Sequence, residues 1–266
     1  MSEPANADEL KKSLKKVTVA DKEYYVAEGD LLVPDDRFAD YAAERLGHKS
    51  LPVFEVKSDG KTAQLLGVTG DGNKPLRWAP GVVLTYYIQK ETFPGNLYST
   101  VRSCMTDATQ AWMDVCGIEF RHMVQLDSDA AARDEQTVFD VRQIDAGGGF
   151  MAAAFFPNDP PSRRTVIIDP LFFVPGLGFD QTGVLRHELG HVLGFRHEMI
   201  RSGAPPVCPK ESLDHTIELT DYDPQSVMHY FCGDVGDKDL KLTSLDRAGA
   251  RLLYGPPFND FDLIRP

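Results

Sequence analysis

The first part of the chain predicts short elements that end in a linker. In chain order, the apolar and polar positions predict a polar tail or frayed helix over residues 1–16, a strand over 23–33 that runs into a turn, an amphipathic helix over 34–46 and a short strand over 51–56. Residues 69–75 are rich in Gly, Asp and Asn, a composition typical of linkers. We therefore predict a first part of residues 1–75 and a second part of residues 76–266.

The second part predicts a larger domain in which strands and helices are mixed. Alternating or β-branched apolar runs predict strands, and apolar residues at helical spacing predict helices. The strands fall at residues 82–89, 118–124, 137–144, 152–156 and 165–168, and the helices at 96–115, 181–193 and 243–254. Thr243 and Asp246 form a capping box for the last helix. This order predicts an α+β fold behind a small α/β N-terminal segment.

Composition narrows the classes of partner. The chain has 266 residues, of which 42% are hydrophobic and 26% charged, as in ordinary soluble globular proteins. Its 28 basic and 40 acidic residues give a net charge of −12, which argues against nucleic acid or an anionic membrane as partner. The sequence contains neither a predicted membrane span nor a recognisable secretory signal.

The run of residues 187–198, HELGHVLGFRHE, carries the candidate chemistry. Residues four apart on a helix lie almost above one another, at about 3.6 residues per turn, so His187 and His191 can bind one metal ion. Glu188 lies one step round the helix, near enough to take a proton from an activated water. HExxH alone also occurs by chance on solvated helix faces, so the longer pattern matters.

Gly194 and His197 complete that longer pattern. Gly194 can adopt a left-handed backbone and end the helix, so that the chain turns back and brings His197 to the metal. Three neutral histidines leave the fourth position of a roughly tetrahedral zinc ion open, as in a catalytic site. The sequence therefore predicts one catalytic Zn²⁺.

The extended motif and a downstream Met-containing turn, residues 226–230 (SVMHY), resemble those of the metzincin zinc endopeptidases. Within them the chain looks most like the astacin-like group, because Glu198 directly follows the third His and Tyr230 lies two residues after Met228. The resemblance covers about residues 78–255. It implies a mixed, twisted sheet, a zinc-binding helix, a Met-turn and a C-terminal helix.

The resemblance also implies roles for single residues. Tyr230 would be a switchable fifth zinc ligand whose phenol can instead donate a hydrogen bond to the oxyanion. Met228 would form an apolar floor under the zinc, a role close to that of an ordinary core methionine. Glu198 would pair with the new amino terminus after propeptide removal, although it could also be a surface glutamate. Substrate would bind as an extended strand, antiparallel to an edge strand near residues 147–156.

Gly29 and Asp30 bear on regulation. Astacin-like zymogens carry a Phe-x-Gly-Asp segment whose Asp binds the zinc, and here Ala27 replaces the Phe. Asp30 would then be a latent-state ligand, residues 1–75 a latency segment, and an activating protease a partner. A Gly-Asp pair is also a common turn, so this alternative stays open.

Other features leave the setting of the protein open. Cys208 and Cys232 flank the irregular segment around the Met-turn and could clip it, whereas Cys104 and Cys116 would lie about 18 Å apart on one helix, beyond disulfide reach. The loop at residues 158–159 could bind calcium, but surface turns use the same residues. We expect a secreted monomer, with a cytoplasmic location as the alternative.

The function predicted is that of a zinc metalloendopeptidase that hydrolyses internal peptide bonds. A non-catalytic zinc-containing module that binds extended peptides is the alternative, against which the retention of Glu188 argues. A third possibility is a permanently latent protein that only a partner or a protease releases.

Overall fold

An α-helix and a three-stranded sheet form the N-terminal part. The computed structural model of this chain describes residues 6–19, 22–27, 29–39, 41–42, 65–69, 74–129, 137–209, 213 and 216–258. Helix α1 (Ala7–Ser13) begins at Asn6, whose side chain accepts from Glu9 N at 3.0 Å. It is followed by the antiparallel strands β1 (Lys15–Val19), β2 (Lys22–Ala27) and β3 (Leu31–Pro34), in the order β1-β2-β3.

One prediction for this part needs correction, and another is confirmed in part. The single strand predicted over 23–33 is a pair of strands, because Gly29 adopts a φ of +98° and turns the chain between them. The polar tail or frayed helix predicted over 1–16 contains helix α1, as the second alternative expects, and also the start of β1. Residues 38 and 42 of the predicted helix are helical and buried. The rest of that helix beyond residue 42 and the strand predicted over 51–56 lie outside the described residues.

Residues 65–69 pack into the second part of the chain. Strand β4 (Leu66–Val68) pairs antiparallel with a strand far along the chain, at residues 216–218. Leu65 and Leu66 are fully buried, and Leu65 lies against Gly249. Thr69 forms an isolated bridge with Pro75, so the two ends of the predicted linker meet.

A five-stranded mixed sheet forms the framework of the second part. Its strands are β5 (Val83–Ile88), β6 (Glu119–His122), β7 (Phe139–Gln143), β8 (Ala152–Ala153) and β9 (Thr165–Ile168), in the order β6-β5-β7-β9-β8. All neighbours are parallel except β8, which runs antiparallel to β9 at the edge. The strand predicted over 152–156 is shorter than expected, and the predicted edge position is confirmed.

Three longer helices share a hydrophobic core with this sheet. They are α2 (Leu97–Met113), α3 (Gln181–Val192) and, after strand β10 (Thr216–Glu218), α4 (Ser244–Tyr254). Helix α2 packs against α3 through buried Met105, Ala108 and Trp112, and Trp112 Nε1 donates to Arg186 O at 2.9 Å. The capping box predicted for α4 is present. None of the described helices is long and apolar enough to cross a membrane.

The N-terminal sheet is attached to the edge of the five-stranded sheet. Leu31 of β3 forms a parallel bridge with Ala154, directly after β8. A small apolar cluster joins the two sheets, with members from β1 and β2 on one side and from β8, β9 and the preceding loop on the other. Its buried members are Val17, Val19, Val26, Ala146, Phe150, Ala153 and Ile167. This attachment carries the turn between β2 and β3 towards α3.

Disulfide bonding follows the prediction from sequence. Cys208 and Cys232 form a disulfide with a Cα–Cα separation of 5.2 Å. Cys104 and Cys116 are free and buried. The α+β class is likewise confirmed.

Candidate active site and metal centre

Helix α3 and the turn after it bring the three histidines together. His187 and His191 project from one face of α3, and Gly194 then adopts a φ of +91° that ends the helix. After this turn the backbone pairs with β4, since Val68 N donates to Gly194 O and Arg196 N to Leu66 O, both at 2.8 Å. The chain thus returns His197 to the other two histidines, as the sequence predicts.

Each of the first two histidines has one ring nitrogen fixed by the backbone. His187 Nδ1 lies 2.7 Å from Val227 O, and His191 Nδ1 lies 2.8 Å from Phe195 O. Because a carbonyl oxygen only accepts, Nδ1 carries the hydrogen and Nε2 keeps a lone pair for a metal. Burial lowers the pKa of His191 to about 4, which favours the neutral form that a metal ligand requires.

Asp30 lies among the histidines as a fourth potential ligand. Its Oδ2 is 3.2 Å from His197 Nε2 and 3.3 Å from His187 Nε2, and His191 Nε2 lies 3.1 Å from His197 Nε2. Four ligands at about 2.0–2.1 Å from a tetrahedral zinc ion would be about 3.3 Å apart. The ligand atoms of all four residues lie within 4.8 Å of one another, so the donor set and its spacing fit zinc.

The imidazoles around Asp30 favour its ionised form. Burial alone would raise the pKa of Asp30, but His197 and His191 outweigh burial and hold it well below its usual range. Its Oδ1 is buried and has no hydrogen-bond partner among the described residues. A buried carboxylate oxygen of this kind is costly unless a cation compensates it, which is a further reason why the site suits a metal ion.

Tyr230 closes the site from the Met-turn side. Its hydroxyl donates a hydrogen bond to Asp30 Oδ2, and its ring lies 4.5 Å from the His197 ring and 5.5 Å from the His187 ring, centroid to centroid. Gly29 makes this approach possible, because a Cβ at Gly29 would lie 2.7 Å from the Tyr230 hydroxyl oxygen. The turn before β3 therefore fits against the phenol.

Glu188 is buried beside the histidines. It is 2% exposed, and its Oε2 has no hydrogen-bond partner among the described residues. Burial, reinforced by the Asp30 carboxylate, raises the pKa of Glu188 well above its usual range. A carboxyl group in this environment can take up a proton.

Met228 lies under α3. It is fully buried, and its Sδ would be only 2.3 Å from a Cβ built at Gly190, so Gly190 provides the room for the thioether. The Met-turn is held from below by Asp246, which accepts from Ser226 Oγ at 2.6 Å and from Val227 N at 2.9 Å. The sequence predicted Asp246 as part of a helix cap. It did not indicate that Asp246 also holds the Met-turn, because that contact joins residues distant in the sequence.

Glu198 is buried rather than on the surface, and it has a partner that the sequence did not indicate. Its Oε1 accepts from Arg201 Nη1 and from Asp223 N, each at 2.9 Å, while Oε2 has no hydrogen-bond partner among the described residues. Burial raises the pKa of Glu198 to about 8, although Arg201 acts in the opposite direction. The signal for Arg201 in the sequence was a basic residue one helical turn after the acidic Glu198.

Two predicted positions remain, the edge strand for substrate and the loop considered for calcium. Strand β8 forms the edge near residues 147–156, and β3 already occupies the backbone position beside Ala154. Asp159, in the loop considered for calcium, accepts from Phe156 N at 2.8 Å.

Comparisons with known proteins give the family context of these residues. The matrixin family model matches residues 77–204. Two structures of myroilysin are similar to this chain, one at 17% identity and a TM-score of 0.49, covering 71% of this chain and 98% of that chain, and the other at 16% and 0.44, covering 77% and 99%. High choriolytic enzyme 1, a hatching enzyme zinc-protease from Oryzias latipes (medaka fish), has 16% identity and a TM-score of 0.42, covering 77% of this chain and 100% of that chain.

No curated protein sequence matches this chain. The matrixin match includes the three histidines, which converge on one point with a donor set that fits zinc. The part of the chain that is similar to the matrixins therefore carries a residue cluster that fits the zinc site of a metalloprotease.

Proposed function

We propose that this chain is an astacin-like zinc endopeptidase in a latent form, with Asp30 on the metal in place of a water molecule. The observation that carries the proposal is the position of Asp30 Oδ2, within 3.3 Å of the Nε2 atoms of His187 and His197 and hydrogen-bonded to Tyr230. A carboxylate at this position excludes the water that hydrolysis needs. The first part of the chain would thus act as a latency segment.

His187, His191 and His197 would hold the ion. Zinc, when bound, polarises the scissile carbonyl and lowers the pKa of a water molecule. Glu188 would take the proton of the attacking water and deliver it to the leaving amine nitrogen. Its buried, unpartnered Oε2 supports this role, because no hydrogen bond among the described residues competes for that oxygen.

Tyr230 would change partner during turnover. In the latent chain its hydroxyl donates to Asp30. Once Asp30 leaves, the phenol could bind the metal or donate a hydrogen bond to the oxyanion of the tetrahedral intermediate, which is the charge that such donors stabilise. Met228 would serve as the apolar floor beneath the histidines, a role that its full burial against Gly190 supports.

We further propose that substrate is a protein or peptide bound as an extended strand along β8. The position of β8 as the last strand of the five-stranded sheet supports this, since the backbone of an edge strand can form main-chain hydrogen bonds with an extended peptide. Substrate would run antiparallel to β8 and would need the place that β3 now occupies beside Ala154. Displacement of β3 is therefore part of activation in this scheme.

An activating protease that removes the latency segment would create a new amino terminus. Glu198 Oε2, buried and without a hydrogen-bond partner among the described residues, is the acceptor we propose for it. The Cys208–Cys232 disulfide supports an extracellular setting, because disulfides persist mainly in oxidising compartments. We expect the active protein to be a monomer.

The test compares four full-length chains on casein, each with and without a chelator: wild type, Asp30→Ala, Asp30→Ala with Glu188→Ala, and Asp8→Ala. Asp8 is an exposed acid of the same segment and serves as the matched control. We expect Asp30→Ala to raise proteolysis about ten- to a hundredfold, the effect of one contact with a charged group. The chelator and the added Glu188→Ala should each abolish this gain.

Other outcomes would contradict the proposal. Unchanged proteolysis in Asp30→Ala would refute latency through this residue. If the Asp30→Ala chain bound zinc and extended peptides without cleaving them, the protein would instead be a peptide-binding module.

A further inference from the structure

His229 is a buried imidazole inside the Met-turn that the proposed mechanism leaves without a role. It is fully buried, and its Nδ1 lies 2.6 Å from Tyr230 O. Because the carbonyl only accepts, His229 Nδ1 carries the hydrogen and Nε2 is the acceptor. The Tyr222 hydroxyl lies 2.8 Å from Nε2 and donates to it. Two hydrogen bonds in series thus connect Tyr222 to the backbone of Tyr230.

Tyr222 is itself held on both sides. Its ring lies against Gly203, which has a φ of +114° and whose Cβ, if present, would be 3.3 Å from Tyr222 Cδ1. The next residue, Asp223, donates its N–H to Glu198 Oε1 at 2.9 Å and accepts from Thr243 Oγ1 at 2.6 Å. These contacts fix the position of the Tyr222 hydroxyl.

The phenol and the carbonyl of Tyr230 are held by different groups. The phenol donates to Asp30 and lies against the His197 ring, whereas the carbonyl accepts from His229. A phenol that changes partner by rotating about its side-chain bonds needs a backbone that does not move with it. We infer that Tyr222 and His229 are positioning residues that keep the backbone of Tyr230 fixed while its phenol leaves Asp30 and reaches the reacting centre.

This inference rests on the role proposed for Tyr230, so its test is made in the full-length Asp30→Ala chain. Tyr222→Phe removes only the hydroxyl. We expect it to lower kcat about three- to tenfold, the effect of one hydrogen bond, with little change in KM. Tyr98→Phe is the matched control, since the Tyr98 hydroxyl donates to Asp127 at 2.6 Å instead. It should leave both constants unchanged.

A double-mutant cycle separates positioning from a general loss of structure. If Tyr222 acts through Tyr230, then Tyr222→Phe should have no further effect on kcat in a Tyr230→Phe background. The same fall in kcat in both backgrounds, or an effect on KM alone, would overturn the inference.

A spectroscopic measurement tests the same inference without turnover. With Cu²⁺ in the histidine site of the Asp30→Ala chain, a bound phenolate gives a tyrosinate-to-copper charge-transfer band. Tyr230→Phe should abolish this band, and Tyr222→Phe should weaken or shift it, whereas Tyr98→Phe should not. A band that Tyr222→Phe leaves unchanged would overturn the inference. The inference would also fail if the Asp30→Ala chain, with Tyr222 still present, gave no band. A chain with the expected bands but without proteolysis would refute the proposed function and leave the positioning role standing.

Discussion

Gly29→Ala tests the proposed latency without touching a metal ligand. Gly29 has a φ of +98°, and an added Cβ would lie 2.7 Å from the hydroxyl oxygen of Tyr230 and 2.8 Å from its Cε2. A positive φ costs a non-glycine residue about 1–2 kcal/mol. To relieve the contact, the phenol must move away from Asp30 and give up a hydrogen bond to a charged group, which contributes about 1.5–3 kcal/mol.

Together these costs disfavour the docked turn by about 2.5–5 kcal/mol, and each 1.36 kcal/mol is a factor of ten. We expect Gly29→Ala to raise the proteolytic activity of the uncleaved chain at least about 50-fold. The gain stops growing once most molecules are in the undocked form. The assay is the initial rate on a quenched fluorescent peptide, with zinc content measured in parallel. Zinc content should stay at one ion per chain because all three histidines remain.

Gly81→Ala is the control for backbone strain. Gly81 has a φ of +81°, and nothing lies within 4 Å of a Cβ built there. The substitution therefore adds similar strain with no new contact, and it should leave the activity at the wild-type level. If Gly29→Ala and Gly81→Ala have the same activity while Asp30→Ala is active, the contact between Gly29 and Tyr230 is not part of latency and the reasoning fails.

Three further predictions concern catalysis and stability. In the Asp30→Ala chain, Glu188→Gln should keep zinc but lower kcat at least a hundredfold, within the usual contribution of a general base; a smaller loss, measured on the same peptide, would argue for another base. Gly190→Ala should destabilise the fold by about 1–3 kcal/mol, because the new Cβ would lie 2.3 Å from Met228 Sδ; denaturant unfolding measures this, and an unchanged midpoint would contradict it. The pKa of Asp127 is lowered, because its hydrogen-bonded and charged neighbours outweigh burial. Its contribution to the stability of the fold is therefore present above its ordinary pKa of 3.8 and is lost as the pH falls further. Asp127→Asn should therefore flatten the acid limb of the Tm–pH curve, and parallel curves for the two proteins would refute this.

The elements that the sequence predicts well depend on contacts close along the chain. His187 and His191 share a helix face, Gly194 supplies the left-handed residue that ends it, and the Thr243–Asp246 capping box lies within one turn. In each case the hydrogen bonds that determine the geometry join residues a few positions apart. Their side chains alone therefore indicate the structure.

The features that escaped prediction depend on tertiary contacts. Asp30 and His197 are 167 residues apart, and the local pattern around the Gly29 turn does not state which face of the molecule it reaches, so only the resemblance to astacin-like zymogens suggested Asp30 as a zinc ligand. Strand β1 has only two buried apolar positions, Val17 and Val19, and their partners lie on the distant five-stranded sheet. Strand β8 ends earlier than its apolar run suggests. Arg201 becomes a partner of Glu198 only because both are buried under the Met-turn.

Strand β4 has a consequence for where the polypeptide can be shortened. Residues 66 and 68 hold the backbone on either side of Phe195, and Leu65 fills space beside Gly249 in α4. A shortened chain that begins after residue 75 would lose both backbone hydrogen bonds, and the loop that returns His197 would be left with an open edge. Truncation aimed at an accessible active site should accordingly retain every residue from 65 onward, so that removal of the earlier part of the latency segment does not also remove a wall of the metal centre.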